Sequence, residues 1–304
     1  MESVADFVFG PLPPIEETTP AATAEPAAAD PLGPLAGLAG KWTGKGFNVI
    51  WRPHPGGQDH FLELNVTSEE LDFGPALQKI PNRGLLQPNI SLAGLNYLQQ
   101  ISDSNTNTKQ HFEPGLWVTV PKTSDPQEPR TVARLASIPH GTTILLQGTA
   151  HTAAGAPAIP NVSIKPFTIG QPAQTNNFPE QNLSKSTQFR TSGAGLTGVT
   201  QQMVNNPNSV LHSPSSLQIT TTTTLDVSSH DASIPGGGTA NIAFLKGTKD
   251  GPNAVAAHVT ATFWLETLQG DTQPRRLQYS QLVLLNFSGL SWPHVTVATL
   301  HKQA

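Results

Sequence analysis

Two side chains able to bind a metal or to move a proton lie two residues apart in the segment His111-Phe112-Glu113. Side chains alternate between the two faces of a strand, so His111 and Glu113 share one face if the segment is extended. Together with His140, in the turn Ile138-Pro139-His140-Gly141, they could ligate a divalent ion. The alternative is a His111 that is hydrogen-bonded at the mouth of the folded domain and holds no ligand.

A further histidine, His294, opens the last predicted strand of the chain. It follows Pro293 and shares its strand face with Thr296. A neutral imidazole is a good metal ligand, but a single histidine in a strand is more often structural. The residue type alone leaves both interpretations of His294 open.

The composition limits the classes of function. Charged residues make up 12% of the 304 residues, about half of the usual ~25%. The net charge is -4 and the basic residues form no block, which disfavours a nucleic-acid partner. Cysteine is absent, which excludes disulfides and thiolate chemistry. No nucleophile elbow, phosphate-binding loop or dinucleotide-binding glycine pattern is present, so those enzyme classes are disfavoured.

The sequence also gives an expectation about location. Its first ten residues lack a basic start followed by an apolar run, so no secretory signal is recognised. No uninterrupted apolar run approaches the about 18–20 residues that a membrane span needs. We therefore expect a cytoplasmic protein with no membrane partner.

Alternating apolar and polar residues predict strands along most of the chain. Residues 61–66 alternate as a half-buried strand does, and residues 275–287 are long enough for a strand that crosses a whole domain. About ten antiparallel strands joined by short turns suit a closed barrel, because closure removes exposed sheet edges. The predicted fold class is all-β, with an antiparallel barrel. The other predicted strands are residues 117–120, 131–137, 142–149, 217–227, 255–268 and 294–300.

Two segments depart from this pattern. Residues 1–34 are rich in Pro and Ala and predict a disordered tail, with a single barrel domain in residues 35–304. Residues 153–216 are rich in Pro, Asn, Gln and Gly and predict a loop-rich insertion. Within it, Thr197 is a candidate cap for a short helix that Pro207 would end. Long loops of this kind are often lids or binding elements, and a lid is one interpretation of this insertion.

Five short motifs, taken in order, resemble the nitrobindin family, which consists of lipocalin-like β-barrels that hold a haem through one histidine near the C-terminus. The first, residues 40–46, has the pattern G-x-W-x-G-x-G, in which Trp42 can plug a barrel end while the glycines let the strand coil. The resemblance covers about residues 38–149 and 275–302. The other motifs are His111-Phe112-Glu113-Pro114-Gly115, Pro139-His140-Gly141, Gln147-Gly148-Thr149 and Trp292-Pro293-His294.

The resemblance implies a haem b protein in which His294 ligates the iron. It places His111 and Gln147 on an open distal side that accepts a small ligand such as nitric oxide, peroxide or peroxynitrite. For Gln147 a cross-strand hydrogen bond outside any pocket is the alternative. If the protein is an enzyme, isomerase-like or peroxidase-like chemistry at the haem is implied. Two alternatives stay open, a haem-free carrier of a hydrophobic small molecule and a barrel enzyme that seats an organic substrate under the enlarged loops. Whether the chain forms a homodimer also stays open.

Overall fold

A computed structural model describes residues 30–54, 60–190, 196–230, 233–234, 236–248 and 251–304. Residues 1–29 of the predicted tail lie outside this range. The strands are β1 (Gly40–Pro53), β2 (His60–Asn82), β3 (Ile90–Asp103), β4 (Lys109–Val120), β5 (Thr123–Ser124), β6 (Gln127–Glu128), β7 (Thr131–Ile138), β8 (Thr142–Ala154), β9 (Phe167–Thr168), β10 (Ile219–Ser228), β11 (Gly238–Asn241), β12 (Val255–Leu268), β13 (Arg276–Phe287) and β14 (Leu290–Lys302).

Ten of these strands close into an antiparallel barrel, in the order β1-β2-β3-β4-β7-β8-β10-β12-β13-β14, with β14 pairing back to β1. The all-β barrel that the alternation predicted is confirmed. Outside the ring, β11 pairs with β8, β9 pairs with β14, and β5 pairs with β6.

The helices of the described residues are short. They are the α-helices α1 (Gln201–Asn205) and α2 (Ala243–Lys246) and the 3-10 helices Gly33–Leu38, Pro179–Gln181 and Pro207–Leu211. None of them is long and apolar enough to cross a membrane.

The glycines of the first motif permit the barrel to close. A Cβ atom at Gly44 would lie 2.0 Å from the backbone oxygen of Thr299, and one at Gly46 would lie 2.2 Å from that of Val297. Both distances are far below van der Waals contact, so at these two positions β1 approaches β14 more closely than a side chain would allow.

One end of the barrel is plugged. Trp42 is fully buried there, and its indole nitrogen donates a 2.7 Å hydrogen bond to the backbone oxygen of Leu38. Leu35 and Leu38 fill the same end from the 3-10 helix Gly33–Leu38. Leu32 packs in this core with 5% exposure, so the packed part of the chain begins ahead of the predicted boundary at residue 35.

The long excursion between β8 and β10 covers the outside of the barrel. Phe47, Val49, Val295 and Val297 are fully buried although they point away from the barrel interior. Residues of the excursion pack on them and form a second apolar core. Its short helix α1 is capped by Thr200, not by the predicted Thr197. The excursion residues in this outer core include Ile159, Val162, Ile164, Phe178, Leu183, Met203, Val204 and Leu211.

Candidate ligand cavity

The barrel end opposite Trp42 contains a cavity of about 470 Å³. This volume lies in the usual range for small-molecule sites. Its walls are mainly apolar, and polar side chains enter from β1, β3, β13 and β14. The apolar wall residues include Ile50, Ile101, Ile138, Ile144, Val283 and Leu285, and the polar ones include Asn48, Gln99, Tyr279, Gln281 and Thr296.

Three histidines from separate parts of the chain line this cavity. They are His111 on β4, His140 in the turn between β7 and β8, and His294 on β14. The rings of His111 and His140 lie 5.7 Å apart, centroid to centroid, in an edge-to-face arrangement. His111 and Glu113 share the inner face of β4, as the spacing predicted. Sequence reasoning therefore identified side chains that the fold brings into one site.

His294 is an uncharged imidazole in this cavity. Burial lowers the pKa of His294 to about 3, and the nearby His111 and His140 lower it further in the same direction. The side chain is partly exposed and lines the cavity. Its Nε2 atom lies 2.9 Å from Oδ1 of Asn48 and 3.4 Å from the hydroxyl of Thr296. Since Oδ1 accepts, Nε2 carries the proton and the lone pair lies on Nδ1.

His111 is held in place by a buried carboxylate. Its Nε2 atom lies 3.0 Å from Oε2 of Glu113, whose side chain is 0% exposed. The other oxygen, Oε1, accepts a 2.5 Å hydrogen bond from Nη2 of Arg134 and a hydrogen bond from the Tyr97 hydroxyl. Burial alone would raise the pKa of Glu113, but the Arg134 charge and hydrogen bonds from His111 and Tyr97 lower it to about 2. Glu113 is therefore an anion that fixes the orientation of His111.

A second buried carboxyl lies deeper on the inner face. Glu69 is 2% exposed, and it accepts hydrogen bonds of 2.5 Å from the Tyr279 hydroxyl and 2.9 Å from the Thr67 hydroxyl. Burial raises the pKa of Glu69 to about 7, although these hydrogen bonds act in the opposite direction. Among the described residues no Lys, Arg or His nitrogen lies within ion-pair distance of Glu69.

The divalent-metal interpretation of His111, Glu113 and His140 is wrong for this structure. Within the described ranges no group of three or more His, Cys, Asp or Glu side chains could hold a metal ion. The reason is local, because both oxygens of Glu113 are already engaged, by Arg134 and Tyr97 on one side and by His111 on the other.

The predicted position of Gln147 is also wrong. Its neighbours Ile144 and Leu146 are buried inside the barrel, so Gln147 points outward. There its amide nitrogen donates a 3.0 Å hydrogen bond to the Thr131 hydroxyl. The sequence established that this segment is a strand but not which alternate residues face inward, and the resemblance gave the wrong face.

The lid interpretation of residues 153–216 is not supported by the lining of the cavity. No described residue of that segment lines the cavity, since these residues pack on the outside of the barrel. The mouth is instead bordered by Leu245 of α2, together with Ala254 and Ala256.

Sequence reasoning missed four side chains of the site, namely Asn48, Glu69, Arg134 and Tyr279. A signal existed for Arg134, because a single cation in the apolar segment Val132-Ala133-Arg134-Leu135-Ala136 needs a buried partner if it points inward. Asn48 and Tyr279 carry no comparable signal, since an amide or a phenol suits either face of a strand.

Comparisons with known proteins add little. No protein-family model matches the chain, and no curated protein is detectably similar to it. Among solved structures, the crystal structure of Rv2717c from M. tuberculosis is similar, with a TM-score of 0.43, 15% identity, and coverage of 91% of this chain and 99% of that chain. Because these values are low, the barrel architecture rests on the strand pairing of the chain itself.

Proposed function

We propose that the cavity binds haem b and that His294 is the axial ligand of its iron. One observation carries this proposal: an imidazole that stays neutral, with a lone pair on Nδ1, lies in an apolar cavity inside the barrel. An axial ligand of haem iron must be unprotonated, and a single histidine is sufficient.

The rest of the cavity fits the group. Aliphatic side chains such as Ile50, Ile144 and Val283 would hold the apolar macrocycle. Arg52, at the mouth, is half-exposed and ion-paired with Glu63 at 2.6 Å, and it would attract the propionates. The buried Glu69 and Glu113 disfavour carboxylates at the inner end, so side chains at the mouth would hold the propionates.

Asn48 and His111 have distinct roles in this proposal. Asn48 accepts the Nε2 hydrogen of His294 and thereby sets its tautomer and orientation. Haem iron, when bound, supplies an open position for a small diatomic or peroxide-like ligand. His111, oriented by Glu113, is the cavity side chain best suited to hydrogen-bond such a ligand. Isomerase-like or peroxidase-like activity would depend on His111 and on Glu113, which orients it.

A haem-free carrier of a hydrophobic molecule is the second candidate, and the apolar lining favours it equally. The two functions differ in what they require of His294. A carrier needs only the shape of the cavity, whereas the haem protein needs the imidazole nitrogen.

Titration of the purified chain with hemin, followed by its Soret absorption, tests the proposal. We expect His294→Ala to lower the hemin affinity by about tenfold or more, equivalent to about 1.4 kcal/mol. His111→Ala should retain hemin and alter the affinity of the hemin complex for azide. His301→Ala is the matched control, because His301 lies on the same strand with its side chain exposed. Equal hemin affinity in the wild type and His294→Ala would favour the carrier.

A further inference from the structure

The pair formed by Tyr279 and Glu69 has no role in haem ligation, yet it lies at the inner end of the cavity. Tyr279 lines the cavity, and its hydroxyl donates a 2.5 Å hydrogen bond to Oε2 of Glu69. Gln99, which also lines the cavity, donates from Nε2 to the same hydroxyl at 2.9 Å. The Tyr279 hydroxyl therefore donates to one buried side chain, Glu69, and accepts from another, Gln99.

The hydrogen-bond partners fix where a proton on Glu69 would reside. Oε1 accepts from the Thr67 hydroxyl at 2.9 Å, whereas Oε2 lies 2.5 Å from the Tyr279 hydroxyl and 3.5 Å from Nε2 of Gln99. We place a proton added to the carboxyl on Oε2, within the shorter of the two hydroxyl contacts, next to Tyr279. The carboxyl then donates to the Tyr279 oxygen, which already accepts from Gln99. A hydroxyl has one hydrogen and two lone pairs. The hydrogen of Tyr279 is therefore released for another acceptor when Glu69 is protonated, and it is held by Glu69 when the carboxyl is ionised.

We propose that Tyr279 recognises the inner end of the ligand of this cavity, and that the proton on Glu69 decides whether Tyr279 donates a hydrogen bond there. The ligand class is a molecule with an apolar body and a neutral acceptor, such as a carbonyl oxygen. This inference rests on the cavity being the binding site but not on haem being the ligand.

An anionic inner group does not fit the same position. Arg134 is a buried cation near the inner end of the cavity, and each of its three guanidinium nitrogen atoms already donates a hydrogen bond. Nε donates to Tyr97, Nη1 to Gln281 and Nη2 to Glu113, at 2.8, 2.7 and 2.5 Å. A carboxylate placed here would meet Glu113 without a free cation, so a neutral acceptor is favoured.

The other titratable groups around the pair can be separated from Glu69. Glu113 on β4 and Arg134 on β7 stay ionised near neutral pH, since the pKa of Glu113 is about 2 and that of Arg134 is raised. Burial lowers the pKa of His294 on β14 to about 3, and it also lowers the pKa of His140. The remaining cavity histidine is His111, which faces the Tyr279–Glu69 pair from β4. The variant His111→Gln tests whether this histidine causes the pH dependence.

The test uses the neutral fluorescent ketone 6-propionyl-2-(dimethylamino)naphthalene, whose emission moves to longer wavelength when its carbonyl accepts a hydrogen bond. Its affinity for the wild type should fall as the pH rises through about 7, the pKa of Glu69. The expected decrease is about three- to tenfold, the usual effect of one hydrogen bond. The emission of the bound probe should shift to shorter wavelength over the same range.

Two variants identify the residues responsible. Glu69→Gln cannot ionise and can still donate to the Tyr279 oxygen, so it should keep the high affinity at every pH. Tyr279→Phe should bind weakly at every pH, with short-wavelength emission. His111→Gln should still show an affinity that falls with rising pH, with the midpoint moved to higher pH because His111 lowers the pKa of Glu69. If Glu69→Gln does not fold, Thr67→Val serves, because loss of a hydrogen bond that lowers the pKa of Glu69 should move the midpoint to higher pH.

Any of four results would overturn the inference. They are no measurable binding of the ketone, an affinity of the wild type that does not depend on pH, a pH dependence that survives in Glu69→Gln, and a midpoint that is unmoved in Thr67→Val. Hemin titrations of the same proteins keep the two proposals apart. If hemin binds through His294 but the ketone affinity shows no pH dependence that Glu69→Gln abolishes, only the role of Tyr279 is overturned. If Glu69→Gln abolishes the pH dependence of the ketone affinity but the wild type does not bind hemin, only the haem proposal is overturned.

Discussion

Glu113 and Glu69 are buried carboxyls inside the same barrel, yet they hold a proton very differently. The pKa of Glu113 is about 2 and that of Glu69 is about 7. Burial raises both values. The difference arises because Glu113 faces the Arg134 guanidinium, whereas Glu69 receives hydrogen bonds from uncharged groups. One arginine therefore gives the cavity a fixed anion beside His111 and leaves a carboxyl that titrates near neutral pH beside Tyr279.

Replacing Arg134 should be costly, because it leaves Glu113 buried without its cation. We expect Arg134→Leu to lower the free energy of unfolding by about 3–5 kcal/mol, as measured by urea denaturation. The double variant Arg134→Leu/Glu113→Leu should recover much of this loss. Arg52→Leu is the control, since its ion pair with Glu63 is exposed and contributes at most about 1 kcal/mol. A small loss in Arg134→Leu, similar to the control, would contradict the ion-pair account.

The depressed pKa of His294 predicts sensitivity to acid. Between about pH 6.5 and 3 the unfolded chain binds a proton at this residue and the folded chain does not. The contribution of His294 to the free energy of unfolding is therefore fully present above about pH 6.5. As the pH falls below this value, the free energy of unfolding decreases by about 1.4 kcal/mol per pH unit. His294→Gln should flatten this part of the profile of unfolding free energy against pH. His151→Gln is the control and should leave the profile unchanged, because the His151 side chain on β8 is exposed. Identical profiles for the wild type and both variants would show that the pKa of His294 is not lowered by burial.

At the scale of elements, the outward faces of β1 and β14 explain the excursion. Phe47, Val49, Val295 and Val297 would expose a contiguous apolar surface if the chain passed directly from β8 to β10. The described apolar residues between β8 and β10 pack on that surface, which makes them part of the folded core and not a gate.

Hydrogen exchange should separate these two roles. The amides of residues 196–218 should show the same protection with and without hemin, because this segment does not line the cavity. The amides of α2 should gain protection, since Leu245 borders the mouth. A gain confined to residues 196–218 would instead restore the lid interpretation.

At the scale of the whole molecule, the barrel has one plugged end and one open end. Leu32, Leu35 and Leu38 pack against Trp42 at the plug, far along the barrel from the histidines. Apolar contacts of this kind stabilise the barrel without entering the cavity.

Two truncations test the plug. Removal of residues 1–29 should leave the midpoint of thermal unfolding nearly unchanged, as the Pro- and Ala-rich composition predicts. Removal of residues 1–38 also deletes the three buried leucines, each of which contributes about 1.5–3 kcal/mol, so the midpoint should fall by many degrees. A large fall in the shorter truncation would mean that residues 1–29 also contribute to stability.

The sequence was sufficient for the barrel because a period of two is a direct consequence of strand geometry. Residues 255–268 were predicted as a strand with the bounds that β12 has. The site was only partly predictable. His111 and Glu113 were found from their types and spacing and His294 from the family resemblance, whereas Gln147 was assigned to the wrong face. The pairing of Arg134 with Glu113, and of Tyr279 with Glu69, depends on side chains 21 and 210 residues apart, and no local pattern encodes such contacts.

The most direct test of the central claim is rescue of haem binding by a free ligand. His294→Gly removes the imidazole and leaves space for another one beside Asn48. We expect this variant to bind hemin weakly, and added imidazole to restore both the affinity and the Soret absorption of the wild type, with no effect on His301→Ala. Tight hemin binding by His294→Gly without imidazole, or a wild type that does not bind hemin, would contradict the account.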